Sequence, residues 1–560
     1  MNRTRGPQLS GDRSINRPIL RHSVTAVVLA IVSVVALLLT GGCGSLTRAV
    51  NETPQPVSSE PKELTNIHGL EDRYNEIELF SATSQSPHYS PDEKGYIYQA
   101  DGWIYLHIEG DPESRGYQHG WLLAGTIQEA LDSNITMLRA LYGVDWAFLK
   151  TKALEMWADS ISPEYKAELQ AIVQGANERK ATFDYGDLLV FNGLEELRDY
   201  WLPEHISDYY ISLSPDAGLS LPNTADTTAL GESTYARQVD TVQARKQGSA
   251  FIATGSATSD GSIVLAHNTI ASYVDMTYAN VIIDLVPDSG QHIVMQAQPG
   301  YIHSVAELYS SDSLVITQTN IGSHTGYVEG GIPEFNRARQ AVQYSATLDE
   351  FTAALLTGNN GAVASSWLVG QLDTKEIMEL ELGLKFYNVQ KSTDGSFVNS
   401  NLVDDRRILE FEMAGSNTVD IRRGSAARQV RLLQLAKQYR GTIDAEVAKT
   451  IIADNFDVYL SKSKASSRTV CAHYELDNAE YSGTDVSIVP YEPYGSSDGA
   501  VLTSQLASEH TILVRWGTAC GKPFDSAAFL QQNRQFDYLR EYLYDRPSNP
   551  WTSLAPVVAQ

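Results

Sequence analysis

Apolar and polar positions alternate in "GYIYQADGWIYLHIEG" on both sides of Asp101-Gly102, which predicts a β-hairpin beginning at Tyr96. The spacing then changes. Leu122, Leu123, Ile127, Leu131, Ile135 and Leu138 recur at helical intervals and predict one apolar stripe, with further helix-like segments to about Trp201. Periodicity fades over residues 206–248, where Ser, Thr, Asp and Gly accumulate, and this stretch reads as an exposed connector. Short apolar runs follow at Ala250–Thr254, Ser262–Ala266, Val281–Val286, His292–Gln296 and Ser313–Gln318, and each predicts a strand. Helical patterns return at 348–356 and 424–439. Strands bracketed by helices predict an α+β domain, and no repeat of fixed period is present.

The first 94 residues follow a different pattern. Five arginines (Arg3, Arg5, Arg13, Arg17 and Arg21) precede the apolar run Val24 to Leu39. A basic flank and a run of this size read as an export signal, slightly short for a stable span of about 20 residues. The run ends in "LLLTGGCGS", where small residues precede Cys43 as at a lipoprotein processing site, although Thr40 stands where Leu is usual. Lipidation at Cys43 is the expectation and an uncleaved signal anchor is the alternative. Either places the bulk of the chain outside the cytoplasm, in the cell envelope or, without an anchor, secreted. Residues 44–94, rich in Pro, Ser, Glu and Thr in their first part, read as a tether.

Composition narrows the partners. The chain has 560 residues and a formal net charge of −26, with no long basic stripe after residue 50, so nucleic acid is not an expected partner. Membrane contact is expected through the N-terminus alone. Three cysteines occur; if Cys43 carries lipid, Cys471 and Cys520 remain as an even pair in an oxidising compartment, and a disulfide between them is expected. There is no CxxC or HExxH pattern and the histidines are scattered, so neither a metal nor another cofactor is expected.

Several stretches carry a resemblance. "SRGYQHGWLLAG", "GSAFIATGSATSDGSIVLAHN", "ITQTN" (Ile316–Asn320), "SSWLVGQLD" (Ser365–Asp373), "SSRTVCAHYE" (Ser466–Glu475) and "RWGTACGKPFD" (Arg515–Asp525) are similar, in this order, to the C45 peptidase/acyltransferase and phospholipase B-like group of N-terminal-nucleophile (Ntn) hydrolases. The choloylglycine hydrolases are more distant cousins. The resemblance covers about residues 95–553 and implies a four-layer αββα sandwich: a hairpin and helical part over 95–205, the connector over 206–248, and a catalytic part over 249–560. It also implies that "SRGYQHG" sets a helix beside the sheet, a structural task.

Enzymes of this superfamily cut their own backbone and free a Cys, Ser or Thr as a new N-terminus. The α-amino group, with an ordinary pKa of about 7.7–8.0, serves as base for its own side chain. The nucleophile then attacks an amide or ester carbonyl through an acyl-enzyme. Here the chain departs from its relatives, which show "CSAF" where this sequence has "GSAF". Either the cysteine has become Gly248, or Ser249 is the nucleophile after cleavage of the Gly248-Ser249 bond. A one-residue slide turns a strand side chain to the opposite face, which weighs against Ser249. If Asp260-Gly261 were a two-residue turn, Ser249 would face Ser272 and His267 would face Thr254, about 16 Å along the strand from Ser249. His267 and Asn268 are nevertheless placed in the site by the resemblance, Asn320 as the oxyanion donor and Arg468 as a positioning arginine. Ile270 replaces an Asp found in part of the group.

The expected function is an exported Ntn-type hydrolase or acyltransferase that cleaves a small acylated amide, peptide or lipid ester without cofactor. The alternative is an inactive lipoprotein that keeps the fold as a binding or scaffold module. Cys471, two residues from His473, is a rival nucleophile, although alternate strand residues share a face without necessarily touching.

Overall fold

The computed structural model describes residues 81–213, 246–414, 419–477 and 491–557. The export signal, Cys43, most of the tether and residues 214–245 of the connector lie outside the described residues. Among the described residues no helix is long and apolar enough to cross a membrane.

Two extended sheets organise an α+β unit. The larger has ten strands, and along it run Tyr96–Ala100, Trp103–Gly110, Val281–Pro287, Ile293–Ala297, Tyr309–Ser311, Leu314–Asn320, Ser365–Gln371 and Glu376–Leu382. Neighbours pair antiparallel except Trp103–Gly110 with Val281–Pro287, which is parallel. The smaller has seven strands, ordered Gly395–Asn399, Gln247–Gly255, Gly261–Ser272, Asp498–Thr503, Ile512–Trp516 and Thr552–Leu554, with Tyr494–Ser496 also bonded to Gly261–Ser272.

Strand alternation sorts the apolar side chains into two layers. Ala250, Ile252, Ile263 and Leu265 join Ile316, Leu368 and Val369 of the larger sheet in the main core. The approach is close: a methyl added at Gly370 would lie 3.0 Å from Ile252 and Ile263. Phe251, Ala253, Val264 and Ala266 point the other way and pack with Leu432, Leu435, Ala448 and Ile452, from the helices Gly424–Gln438 and Ala445–Ile452. Adjacent residues of one strand therefore enter separate cores.

Local signals explain the elements. Asp101 (φ 48°) and Gly102 (φ 84°) form the turn of the first hairpin. Helix Leu348–Leu356 starts at a capping box in which Thr347 Oγ1 accepts from the Glu350 N–H and the Glu350 carboxylate accepts from the Thr347 N–H. In "SRGYQHG", helix Pro112–Leu122 lies so close to helix Pro163–Glu178 that a methyl on Gly120 would sit 1.9 Å from the Ile172 carbonyl oxygen. Arg115 donates to Glu168 (2.7 Å) and Glu164 (2.7 Å) across the same seam. The motif joins helices.

Three sequence expectations need correction. Order begins before residue 95: His88–Tyr89 pairs with Tyr96–Ala100 and Ala82 is buried, so the tether does not extend to residue 94. Helix Leu202–Leu213 runs into the expected connector. The third correction matters most. Ser249 lies opposite Asn268 and His267 opposite Ala250, four positions from the pairing a two-residue turn would give. The register shifts between Ala253 and Gly255, Gly255 turns at φ 61°, and the loop is tied to its surroundings by Ser256 N–H to Asp394 and Ser259 N–H to the Ile443 carbonyl.

Candidate functional site

The first residues of strand Gln247–Gly255 hold the position to which the resemblance assigns a nucleophile. Alternation sends Gly248 and Ala250, with Thr269 and His267 opposite them, toward the larger sheet. A methyl at Gly248 would lie 2.7 Å from His267 Nε2 and 3.1 Å from Thr319 Cγ2. Ser249 and its partner Asn268 point toward the helices instead. Asn268 Nδ2 donates to the carbonyls of Ile452 (2.9 Å) and Val470 (3.1 Å), which bolts the strand to that layer. Ser249 is fully buried, and its Oγ and Asn268 Oδ1 have no hydrogen-bond partner among the described residues. The residue facing the inter-sheet space is the glycine.

Around Gly248 several polar groups are engaged with one another, although His267 Nδ1 and Thr269 Oγ1 have no hydrogen-bond partner among the described residues. Its N–H donates to Asn401 Oδ1 (3.2 Å). Arg428 Nη2 donates to that oxygen (2.9 Å) and to Gln247 Oε1 (2.9 Å), and its Nη1 donates to the Ser467 carbonyl (3.0 Å). Asn401 Nδ2 donates to the Asn320 carbonyl (3.0 Å), and Thr319 Oγ1 donates to Asn399 Oδ1 (2.7 Å). Burial, aided by the charge of Lys246, lowers the His267 pKa to about 3, so the ring is neutral at ordinary pH and a weak base.

Asn320 and Arg468 are also committed. Asn320 Nδ2 donates to Glu195 Oε1 (2.9 Å), and the other oxygen of Glu195 pairs with Lys246 Nζ (2.7 Å). Burial alone would lower the Lys246 ammonium and raise Glu195, but their mutual attraction reverses both. This pair borders a cavity of about 60 Å³ that Arg198, Ser272, Asp275 and Tyr301 help to line. Arg468 is buried on Asp457 (Nε to Oδ2 2.9 Å) and lies over the Tyr459 ring. The guanidinium that reaches the Gly248 strand is that of Arg428.

Sequence reading missed Arg428, Asn399, Asn401, Glu195 and Lys246. One signal existed for Arg428: it sits four residues before Leu432 on a helix whose stripe is otherwise apolar, a place where a cation needs partners. Nothing local marked the others.

A second cluster lies at the edge of the helical layer. Cys471 and Cys520, expected to pair as a disulfide, come together with their sulfurs unbonded. His473 Nε2 is 3.2 Å from Cys520 Sγ and 3.5 Å from Cys471 Sγ, and its Nδ1 is 2.7 Å from Glu475 Oε1. The Cys520 N–H donates to Cys471 Sγ (3.3 Å). Hydrogen bonding from Cys471 overcomes burial and, with His473, lowers the Cys520 pKa to about 3. Burial opposes charge on His473, yet Glu475 and Cys520 raise it to about 10. The Cys-x-His spacing therefore does bring its members into contact, and Cys471, His473 and Cys520 form a group that could hold a metal ion, although none was expected.

No protein-family profile matches the chain. It is similar to an uncharacterized protein of Archaeoglobus fulgidus, 23% identical over 290 residues, half of this chain. The match covers 43% of that relative, so the chain spans less than half of the length of the protein it resembles.

Proposed function

We propose that this chain is an exported protein, anchored by lipid at Cys43, that keeps a four-layer αββα sandwich of Ntn type as a binding or scaffold module and not as an acyl hydrolase. Support for the layering comes from the two facing sheets and from the helices on the outer face of the smaller one. One observation carries the functional reading: Gly248 occupies the inward-facing position beside His267 and Thr319, while the hydroxyl of the next residue, Ser249, is buried on the opposite face. An Ntn nucleophile must meet its carbonyl, its own amine and an oxyanion donor in one cleft. Here the oxyanion candidate Asn320 is bonded to Glu195, and the neighbouring cavity of about 60 Å³ falls far below the roughly 300–1,000 Å³ of ligand pockets.

The test is hydrolysis of N-acyl amino acids, acylated peptides and phospholipid esters by the purified exported chain beside Ser249→Ala. The expected result is no product above the level of the variant. Turnover in the wild type that Ser249→Ala abolishes, with the variant still folded, would reinstate the hydrolase.

A further inference from the structure

We propose that Cys471, His473 and Cys520 form a binding site for one thiophilic cation, Zn2+ or Cu+. Two chain segments supply the donors. Cys471 and His473 lie in the stretch that links strand Lys462–Ser463 to the short turn Tyr474–Leu476, and Cys520 follows strand Ile512–Trp516. Their two sulfurs and one imidazole nitrogen all lie within 4.8 Å of one another. In a tetrahedral zinc site, with Zn–S of about 2.3 Å and Zn–N of about 2.0–2.1 Å, a sulfur–nitrogen edge comes to about 3.5 Å. The distances of 3.5 and 3.2 Å from Nε2 to the sulfurs have that size.

The surroundings favour a cation over a disulfide. Glu475 Oε1 accepts at His473 Nδ1 (2.7 Å) and also from the Tyr273 hydroxyl (3.0 Å), so the carboxylate is itself fixed. An ion that displaces the Nε2 proton leaves the ring with its other proton on Nδ1, held by Glu475, and the Nε2 lone pair aimed between the two sulfurs. A metal ion binds that lone pair and both thiolates together, which a disulfide cannot do. A carboxylate behind a ligating histidine is the arrangement that orients imidazole in metal centres. Soft thiolates with one imidazole suit d10 ions, hence Zn2+ or Cu+ and not Ca2+ or Mg2+. His473 and Cys471 are buried and Cys520 is half-buried, so the ion enters on the Cys520 side.

The proposal is independent of the assignment at Gly248. Its test is titration of the full exported chain, reduced and metal-free, with Zn2+ and, without oxygen, with Cu+ against a chromophoric chelator. Native mass spectrometry gives the stoichiometry. One equivalent per chain is expected, with the tighter ion identifying the resident metal; Cys520→Ser should abolish binding and Glu475→Gln should weaken it about 10–100-fold while circular dichroism remains native. Cobalt should give a sulfur-to-metal charge-transfer band that Cys520→Ser removes. The proposal falls if the reduced wild type binds neither ion, if Cys520→Ser binds as well as wild type, or if the chain leaves the envelope with both cysteines in a disulfide.

Discussion

Two corners of the molecule invite comparison. Gly248, at the start of strand Gln247–Gly255, has the neighbours expected of a nucleophile site but no nucleophile: Thr319, His267 and Asn401 close on a residue without a side chain. The Cys471–Cys520 corner has two thiols, an imidazole and a carboxylate, yet lies outside the position to which the resemblance assigns chemistry. The difference teaches that side-chain direction, not the motif, decides which corner can react. A single residue along the strand separates Gly248, facing the sheet, from Ser249, facing the helices.

If the first corner is packing and the second holds an ion, substitutions at the first should register as stability. Asn401→Ala should do most harm. It removes the acceptor for Gly248 N–H and Arg428 and the donor to the Asn320 carbonyl, at a position with φ 71° that alanine adopts poorly. A loss of about 3 kcal/mol is expected in urea unfolding. Gly248→Cys comes next, because its side chain meets His267 Nε2; an overpacking loss of about 1–3 kcal/mol is expected, partly recovered when His267→Ala is added. Equal losses with and without His267 would mean the corner is not packed as described.

The third effect is on pH. His267 titrates near 3 when folded and near 6.5 when unfolded, so the unfolded chain binds the extra proton between those values. Stability from this group is complete above pH 6.5 and falls as pH drops, by up to about 1.4 kcal/mol per unit. His267→Gln should flatten the slope of unfolding free energy against pH over that window, and an unchanged slope would count against a buried neutral ring. The smallest effect belongs to Ser249→Ala. An unpartnered buried hydroxyl contributes nothing to lose, so stability should change by less than about 0.5 kcal/mol or rise slightly. A loss above about 2 kcal/mol would reveal a partner for Ser249.

Much of the fold was legible in the sequence because it depends on local periodicity. The runs at 250–254, 281–286 and 313–318 became strands at Gln247–Gly255, Val281–Pro287 and Leu314–Asn320, and the 424–439 pattern became helix Gly424–Gln438. The site was less legible. Register depended on an irregularity between Ala253 and Gly255 and on a loop held by Asp394 and Ile443, both distant in sequence. Glu195, far upstream of Asn320, takes the amide assigned to an oxyanion. Cys520 meets His473 only through the fold of the smaller sheet, so a search for closely spaced ligands passed over it.

The central claim is that no nucleophile is released at the start of this strand. Intact mass and N-terminal sequencing of the purified full-length chain test it most directly. The account predicts that Gly248 and Ser249 remain joined and that Ser249→Ala gives the same fragment pattern as wild type. A polypeptide beginning at Ser249, absent from that variant, would contradict it.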